Sequence, residues 1–576
     1  MTSPKQLSRR TTFGLSVLGG CLLWTAFPPL NWTWMAWLAP CLWMPLLTAG
    51  GFKPSPSKRR SRRIMGNGYF QMWLAHVLFW LLLLQGLRLA HWTTHFGWLA
   101  LAMYLGVYLP AFVFVGRQLI RHTRLPASLA AAISWVSLEW LRGYVISGFS
   151  LGCLSHTQTD HLTLIQIADL TGSPTISMLI ILVAGNLYAI VTVFHKSEPP
   201  IRPQLAALMH VSVIFVLVFA SLVYGQQRLR GSFADMSNSV TVGLIQGSAD
   251  TQFGLTYEQY LKKMQRQQQT YIRQSELARE FDGTIQLLVW PESMFSYGPN
   301  YILDENHPEA IHVPQKPEFE DFSKQDFKEH VVTVMQNMEN SNALLMQRLH
   351  AGVPDPETVP TQLIAGANTR DLSVTSTPLY NSAIRFDPNG NILDIYHKSH
   401  LVMFGEYIPA GNWIPALYEL LPISPGLEPG NQQLMFEINR VVFAPNICFE
   451  STVPHLVRDM IHQTNAAGQH PDVMLNLTND GWFWGSAMLD LHLRCNVMRA
   501  VEMRRPNLVA ANTGISAWIT SRGEVRQQLQ KRKDGFIVAE VGKATQDSLY
   551  LRIGDALAIC CCGFGLVACG VSWFRR

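Results

Sequence analysis

The chain has 576 residues, 48% of them apolar and 15% charged, with a formal net charge of +5. The basic excess sits in short clusters beside hydrophobic runs, which argues for membrane flanks and against nucleic acid as a partner. Of nine cysteines only Cys448 and Cys495 lie away from the apolar runs, too few for a disulfide-built domain.

A membrane span needs about 20 mainly apolar residues, because helix rise must cover roughly 30 Å of hydrocarbon. Runs of that kind lie near 12–28, 31–51, 69–89, 95–117, 126–147, 172–195, 205–225 and 554–573. This predicts an N-terminal transmembrane region of seven helices over 1–228 and a C-terminal transmembrane helix over 554–573. Only Pro28-Pro29-Leu30-Asn31 separates the first two runs, so they form a helical hairpin. The charged start also fits a cleaved signal peptide, but the second span, following at once, favours an uncleaved anchor. The 126–147 run carries Glu139 and Arg142, which are expensive against lipid and should face the bundle or its rim. The run at Cys560–Cys562 resembles a metal or palmitoylation signal only superficially and reads as small filler in a span.

Basic residues decide the orientation. Lys5, Arg9 and Arg10 precede the first span. Lys53 and the group from Lys58 to Arg63 follow the second. Arg117, Arg121 and Arg124 follow the fourth, Lys196 and Arg202 the sixth, and Arg575-Arg576 end the chain. With eight spans all fall on one side, the cytoplasmic side by the positive-inside tendency, and the 238–545 domain faces outward.

Within 238–545, β-rich runs at 240–246, 285–290, 362–367, 382–387, 440–444, 473–477 and 507–511 alternate with helical patterns at 257–280, 453–464 and 489–503. Several strands are almost continuously apolar, as in a sheet covered on both faces, which predicts an α/β sandwich. Gly243, Gly247 and Gly254 lack the spacing of a dinucleotide-binding fingerprint. Residues 299–348 are polar and proline-rich ahead of a helical stretch, and show no clear strand. They read as an excursion from the core, either a surface loop or a lid.

Three strand ends carry reactive groups: Glu292 in WPES at 290–293, Lys398 in YHKSHLV at 396–402 and Cys448 in ICFE at 447–450. In α/β sheets such ends converge on a cleft. A thiolate can form a thioester. A carboxylate can take the thiol proton and later one from an incoming nucleophile. An ammonium lowers the thiol pKa and stabilises an oxyanion. Taken singly, Cys448 also reads as a buried core residue and Glu292 or Lys398 as half of an ordinary ion pair.

Together these segments resemble bacterial apolipoprotein N-acyltransferase, a membrane member of the nitrilase superfamily. WPES, the YHKSHLV-x-FGEYIPA run at 396–410 and ICFE match its three catalytic neighbourhoods in order. NLTNDGWFWGS at 476–486 and RAVEMRRPNLVAANTGISAWI at 499–519 resemble its later segments. FPPLNW at 27–32, EWLRGYVISGF at 139–149 and QIADLTG at 166–172 resemble its membrane signatures. The resemblance implies a nitrilase-like αββα sandwich fused to an eight-span bundle, in a multi-pass protein of the bacterial inner membrane whose catalytic domain is periplasmic. It implies Cys448 as acylated nucleophile, Glu292 as general base and acid, and Lys398 as electrostatic partner. Glu406 and Glu450 take supporting roles. Trp482 and Phe483 could line an acyl-chain entrance or be core aromatics, and His400 and His492 are structural or substrate-side contacts.

The implied reaction moves an acyl chain from a phospholipid, through a cysteine thioester, to the N-terminal amine of a diacylglyceryl-modified apolipoprotein. It needs no metal or organic cofactor and implies a monomer. A membrane-tethered amidase or nitrile hydrolase, and a noncatalytic lipoprotein-binding scaffold, are the alternatives. The chain departs from the family at Met403, where proline is common, which would loosen the loop, and at Phe449, where tyrosine is common. GFSLG at 148–152 departs from the commoner GFPW pattern.

Overall fold

The computed structural model describes residues 6–52, 67–195, 203–231, 233–252, 254–295, 300–303, 311–314, 319, 322–350, 360–408, 426–432, 434–465 and 467–574. The chain divides into two compact units. The first comprises Met1–Gly231, Ser486–Arg504 and Asp547–Arg576; the second comprises Ser232–Gly485 and Arg505–Gln546.

The first unit is helical. Arg9–Thr25, Gly68–Leu83, Ala127–Arg142, Ser173–His195, Pro203–Arg230 and Ala556–Phe574 coincide with six of the predicted runs, and Thr94–Thr123 with a seventh. The run at 31–51 is helical but broken into Met35–Leu38, a 3₁₀ turn Ala39–Leu42 and Met44–Thr48. Pro40 and Pro45 sit at the starts of the second and third pieces, where their missing N–H groups interrupt a continuous ladder. Three helices, Thr94–Thr123, Ser173–Phe194 and Gln204–Arg230, are long and apolar enough to cross a membrane. Met35–Thr48, Gly68–Leu83, Leu162–Thr171 and Ala556–Val571 are shorter apolar helices.

Glu139 and Arg142 turn inward, as polar groups on an apolar helix must. Glu139 accepts from the Leu154 N–H at 2.7 Å, while the Arg142 guanidinium lies 4.9 Å over the Trp80 ring. Arg117, expected as a flanking charge, is instead buried and donates to the Leu46 carbonyl at 2.8 Å. Lys5, Lys53, Lys58 to Arg63, Lys196, Arg202 and Arg575-Arg576 lie outside the described residues.

The expected 238–545 domain is interrupted, because the helix Met488–Met503 packs with the first unit. Its arginines explain why. Arg494 donates to the His156 carbonyl at 2.7 Å and to Asp160 at 2.9 Å, and the adjoining Arg504 pairs with Asp169 at 2.6 Å. Arg499 pairs with Glu502 at 2.8 Å, and Glu502 accepts from the Ser173 hydroxyl. Buried guanidinium groups need such partners.

Among its described residues the second unit has thirteen strands. They are β1 (Ala234–Gln246), β2 (Leu287–Trp290), β3 (Asn300–Ile302), β4 (Gln362–Asp371), β5 (Leu379–Phe386), β6 (Ile392–His397), β7 (Phe436–Ile438), β8 (Val441–Ile447), β9 (Val473–Thr478), β10 (Asn507–Ala511), β11 (Ala517–Ile519), β12 (Val525–Gln528) and β13 (Gly535–Ala544). One sheet has the order β13-β1-β2-β4-β5-β6 with β3 paired to β4, and the other β12-β11-β10-β9-β8-β7. Their inner faces share one apolar core, in which Val242, Leu287 and Ile364 of the first sheet join Phe443, Leu475 and Leu508 of the second.

On the outer face of the first sheet, Leu288, Leu363 and Ile384 pack with Tyr271 and Ile272 of helix Tyr257–Phe281 and with Leu345 and Leu349 of helix Lys324–His350. The first of these helices starts where Thr256 and Gln259 cap each other's backbone N–H groups. Strands β8, β9 and β10 are buried along their whole length, which explains their largely apolar texture. The 299–348 excursion is not a plain surface loop. It supplies β3 and most of the helix Lys324–His350, and Tyr301, Ile311, Phe327 and Val331 form a small core with Leu372.

Candidate active site

Strand direction brings the reactive side chains together. β2 and β4 are parallel, and two antiparallel steps make β6 run the same way, so Glu292 beyond β2 and Lys398 beyond β6 emerge on one edge. Asn381, near the start of β5, reaches that edge from the opposite strand sense. In the second sheet β8, β9 and β10 are parallel, which puts Cys448 beside Thr478, Asn479 and Asp480 at the end of β9.

Glu292 and Lys398 are both buried, and their closest atoms are 3.4 Å apart. Glu292 Oε1 also accepts from Asn381 Nδ2 at 2.7 Å, and its Oε2 from the Asn479 backbone N–H at 2.8 Å. Glu406 accepts from Lys398 Nζ at 2.8 Å, from Asn381 Nδ2 at 2.9 Å and from the Val402 N–H at 2.8 Å. The 402–407 turn is closed by Glu406 N to Val402 O at 2.8 Å and Phe404 N to Tyr407 O at 2.7 Å.

Glu450 stands apart from this cluster and ties two loops together. It accepts from the Ile447 and Ser399 N–H groups, each at 2.7 Å, from His400 N at 3.1 Å and from the Tyr396 hydroxyl at 2.9 Å. The turn carrying Lys398 is thereby fastened to the turn carrying Cys448. His400 also stacks on Phe449 at 6.0 Å, a contact that needs no hydroxyl at position 449.

Cys448 has φ +53° and Ser293, next to Glu292, has φ +61°. Left-handed backbone at residues other than glycine costs of order 1–3 kcal/mol and persists where surrounding structure enforces it. Asn476 provides part of that enforcement, with Nδ2 donating to the Cys448 carbonyl at 3.2 Å and to Asn446 Oδ1 at 2.7 Å. Gly366 of β4 provides another, since a Cβ there would lie 2.5 Å from both Glu292 Cα and the Pro291 carbonyl.

Burial pushes the Cys448 thiol well above its ordinary value, the Glu292 charge adds to this, and Lys398 opposes them without prevailing. Lys398 thus acts on the thiol in the expected direction, but burial and the Glu292 charge outweigh it. Burial likewise raises Glu292, helped by Glu406 and countered by Lys398, Asn381 and Asn479. Burial alone would raise Glu406 too, but the Lys398 ammonium and the hydrogen bonds hold it below the usual carboxylate range. Lys398 is raised: burial opposes its charge, but Glu406, Glu292 and Cys448 outweigh burial.

Trp482 and Phe483 are half-buried in the 3₁₀ turn Asp480–Phe483, immediately beyond Asn479. His492 lies on Met488–Met503 of the first unit and is not among the residues gathered here. Sequence reasoning missed Asn381 and the Asn479 N–H. Asn381 stands one residue before the predicted 382–387 run and next to Ser382, so little in the local text marked it, and a backbone donor leaves no signal. Among the described residues no group of three or more His, Cys, Asp or Glu side chains is placed to hold a metal ion.

A thiol, a carboxylate and an ammonium at the strand ends of a two-sheet sandwich suit acyl chemistry. A family model described as Carbon-nitrogen hydrolase matches residues 242–549, so the second unit is of that class. A second, described as Apolipoprotein N-acyltransferase N-terminal domain, matches residues 19–186. The apolipoprotein N-acyltransferase of Rhodopirellula baltica is 31% identical, with 96% of this chain and 95% of its own covered. The one from Geobacter metallireducens is 28% identical, with 98% and 96% covered. A solved carbon-nitrogen hydrolase from Helicobacter pylori is similar over 54% of this chain and 90% of its own, at 15% identity and TM-score 0.32. The chain belongs to the apolipoprotein N-acyltransferase family.

Proposed function

We propose that the chain transfers a fatty acyl group from a phospholipid, through a thioester on Cys448, to the α-amine of a diacylglyceryl-modified apolipoprotein. The observation that carries this reading is the convergence of Glu292, Lys398 and Cys448 in a member of this family. Glu292 takes the Cys448 proton as sulfur attacks the ester carbonyl, and Lys398 stabilises the oxyanion. The intermediate collapses, Glu292 returns the proton to the leaving alkoxide, and lysophospholipid departs. The acceptor amine then attacks the thioester and gives a proton to Glu292, and the thiol is restored as the amide forms. Glu406 holds Lys398 in place, and Glu450 holds the two loops. Trp482 and Phe483 line the entry of the acyl chain.

In this reading residues 1–228 carry seven spans and 554–573 the eighth, in the bacterial inner membrane. The catalytic domain within 238–545 is periplasmic, and the enzyme works as a monomer without metal or organic cofactor. Both substrates are lipid-anchored, so a membrane-fused catalyst meets them without lifting long chains into water.

The test is purified enzyme with phospholipid and no acceptor. One fatty-acyl mass should appear on the Cys448 peptide, disappear with hydroxylamine, and be absent in Cys448→Ser. Adding a diacylated peptide should move the acyl group to its amine. Release to water alone, or turnover unchanged in Cys448→Ser, would overturn the reading.

A further inference from the structure

Asn381 is buried on β5 and its single amide nitrogen serves two carboxylates, Glu292 Oε1 at 2.7 Å and Glu406 Oε1 at 2.9 Å. Lys398 Nζ bridges the same two oxygens at 3.4 Å and 2.8 Å. Two acceptors and two donors thus alternate in a closed ring. With both carboxylates ionised, only an amide nitrogen can stand at the Asn381 position in the ring, so chemistry fixes the orientation of the side chain. Asn381 Oδ1 is then left buried without a hydrogen-bond partner. An apolar residue of similar size would avoid that unfavourable acceptor, so the amide is there for its donor end.

The ring is asymmetric. Lys398 sits closer to Glu406, while Asn381 sits closer to Glu292. Glu292 is therefore held mainly by neutral donors, Asn381 on one oxygen and the Asn479 N–H on the other. Two carboxylates sharing one ammonium do not titrate independently, and which of them takes a proton depends on such differences.

We propose that Asn381 is a positioning residue for the acylation step: by bridging Glu292 and Glu406 it fixes the carboxylate and the orientation that receive the Cys448 proton. The inference rests on the acylation reading above. In the step the S–H bond breaks, the proton bonds to Glu292, the electron pair stays on sulfur, and the net charge of the cluster is unchanged. The charged and titratable groups facing Glu292 are Lys398 beyond β6, Glu406 in the 402–407 turn and Cys448 beyond β8, with Asp480 beyond β9 acting on the thiol. The Asn381 hydrogen bond favours the ionised carboxylate against burial and Glu406.

The test uses the full chain in detergent and two readouts across pH: alkylation of Cys448 by iodoacetamide and acylation by phospholipid, both by peptide mass spectrometry. Asn381→Leu removes the donor at similar volume, and Asn381→Asp removes it with almost no change of shape. Each should move the acid limb of both profiles to higher pH by about one unit, and lower the acylation plateau tenfold or more. Glu406→Gln should move the limb the other way, because Lys398 then serves Glu292 alone. A uniform fall in rate with the limb unmoved in folded Asn381→Asp overturns the proposal. Shifted alkylation limbs in a protein that phospholipid fails to acylate would support the positioning role and sink the acylation reading instead.

Discussion

Glu292→Gln is the substitution whose consequences the geometry defines most closely. The carboxylate accepts on both oxygens, from Asn381 and Lys398 on one side and from the Asn479 N–H on the other. A glutamine keeps the volume but has one accepting end. Whichever way the amide turns, its NH₂ faces a donor, and Lys398 retains only Glu406 as an anionic partner. A buried donor left unpaired costs about 1–3 kcal/mol, so the melting temperature should fall by several degrees. The kinetic effect is larger. The thiol is held protonated at rest, and a general base contributes roughly 100- to 10,000-fold, about 3–5 kcal/mol of barrier. The assay is the initial rate of hydroxylamine-labile acylation on the Cys448 peptide at saturating phospholipid, in variants that retain a cooperative melt. A folded Glu292→Gln protein acylated within about threefold of the parent rate would refute the assignment of Glu292 as base, since no other described carboxylate is placed to substitute without loss.

Lys398→Ala leaves Glu292 and Glu406 facing each other across a buried site; acylation should fall about 100-fold or more, checked by the same mass assay. Gly366→Ala drives a Cβ into the Glu292 turn, so acylation and thermal stability should both drop, the latter by about 1–3 kcal/mol in denaturant titration. The acid limb of acylation should lie above the ordinary carboxylate range of about 4, because Glu292 is raised and must be ionised to act. The rate is lost as pH falls through that raised value, and a limb at or below the ordinary range contradicts it. Single-cysteine reporters replacing Asp250 and Arg575 should be labelled from opposite sides of the membrane; labelling from one side only rejects the proposed topology.

Hydropathy and pattern were enough to separate an apolar half from an α/β half, because burial of whole segments is written in local composition. Seven strands were legible for the same reason: β8, β9 and β10, for example, are buried along their length and mostly apolar. Six strands were missed: β3, β7, β11 and β12, whose three or four residues carry too little pattern to stand out, and β6 and β13, which are longer but only partly buried. The reactive trio was legible because motif text surrounds it at strand ends.

Distances between segments are not local, and only the tertiary structure decided what depends on them. The alternation of β4, β5 and β6 brings Asn381 between Glu292 and Glu406 from far along the chain. Burial, which no neighbouring residue in sequence reports, raises the Cys448 thiol despite the nearby ammonium. The helix Met488–Met503 reads in sequence as part of the α/β half, yet its buried arginines and the adjoining Arg504 find their partners at Asp160, Ser173 and Asp169. Periodicity specifies that a helix forms, but the charges it must satisfy specify where it packs.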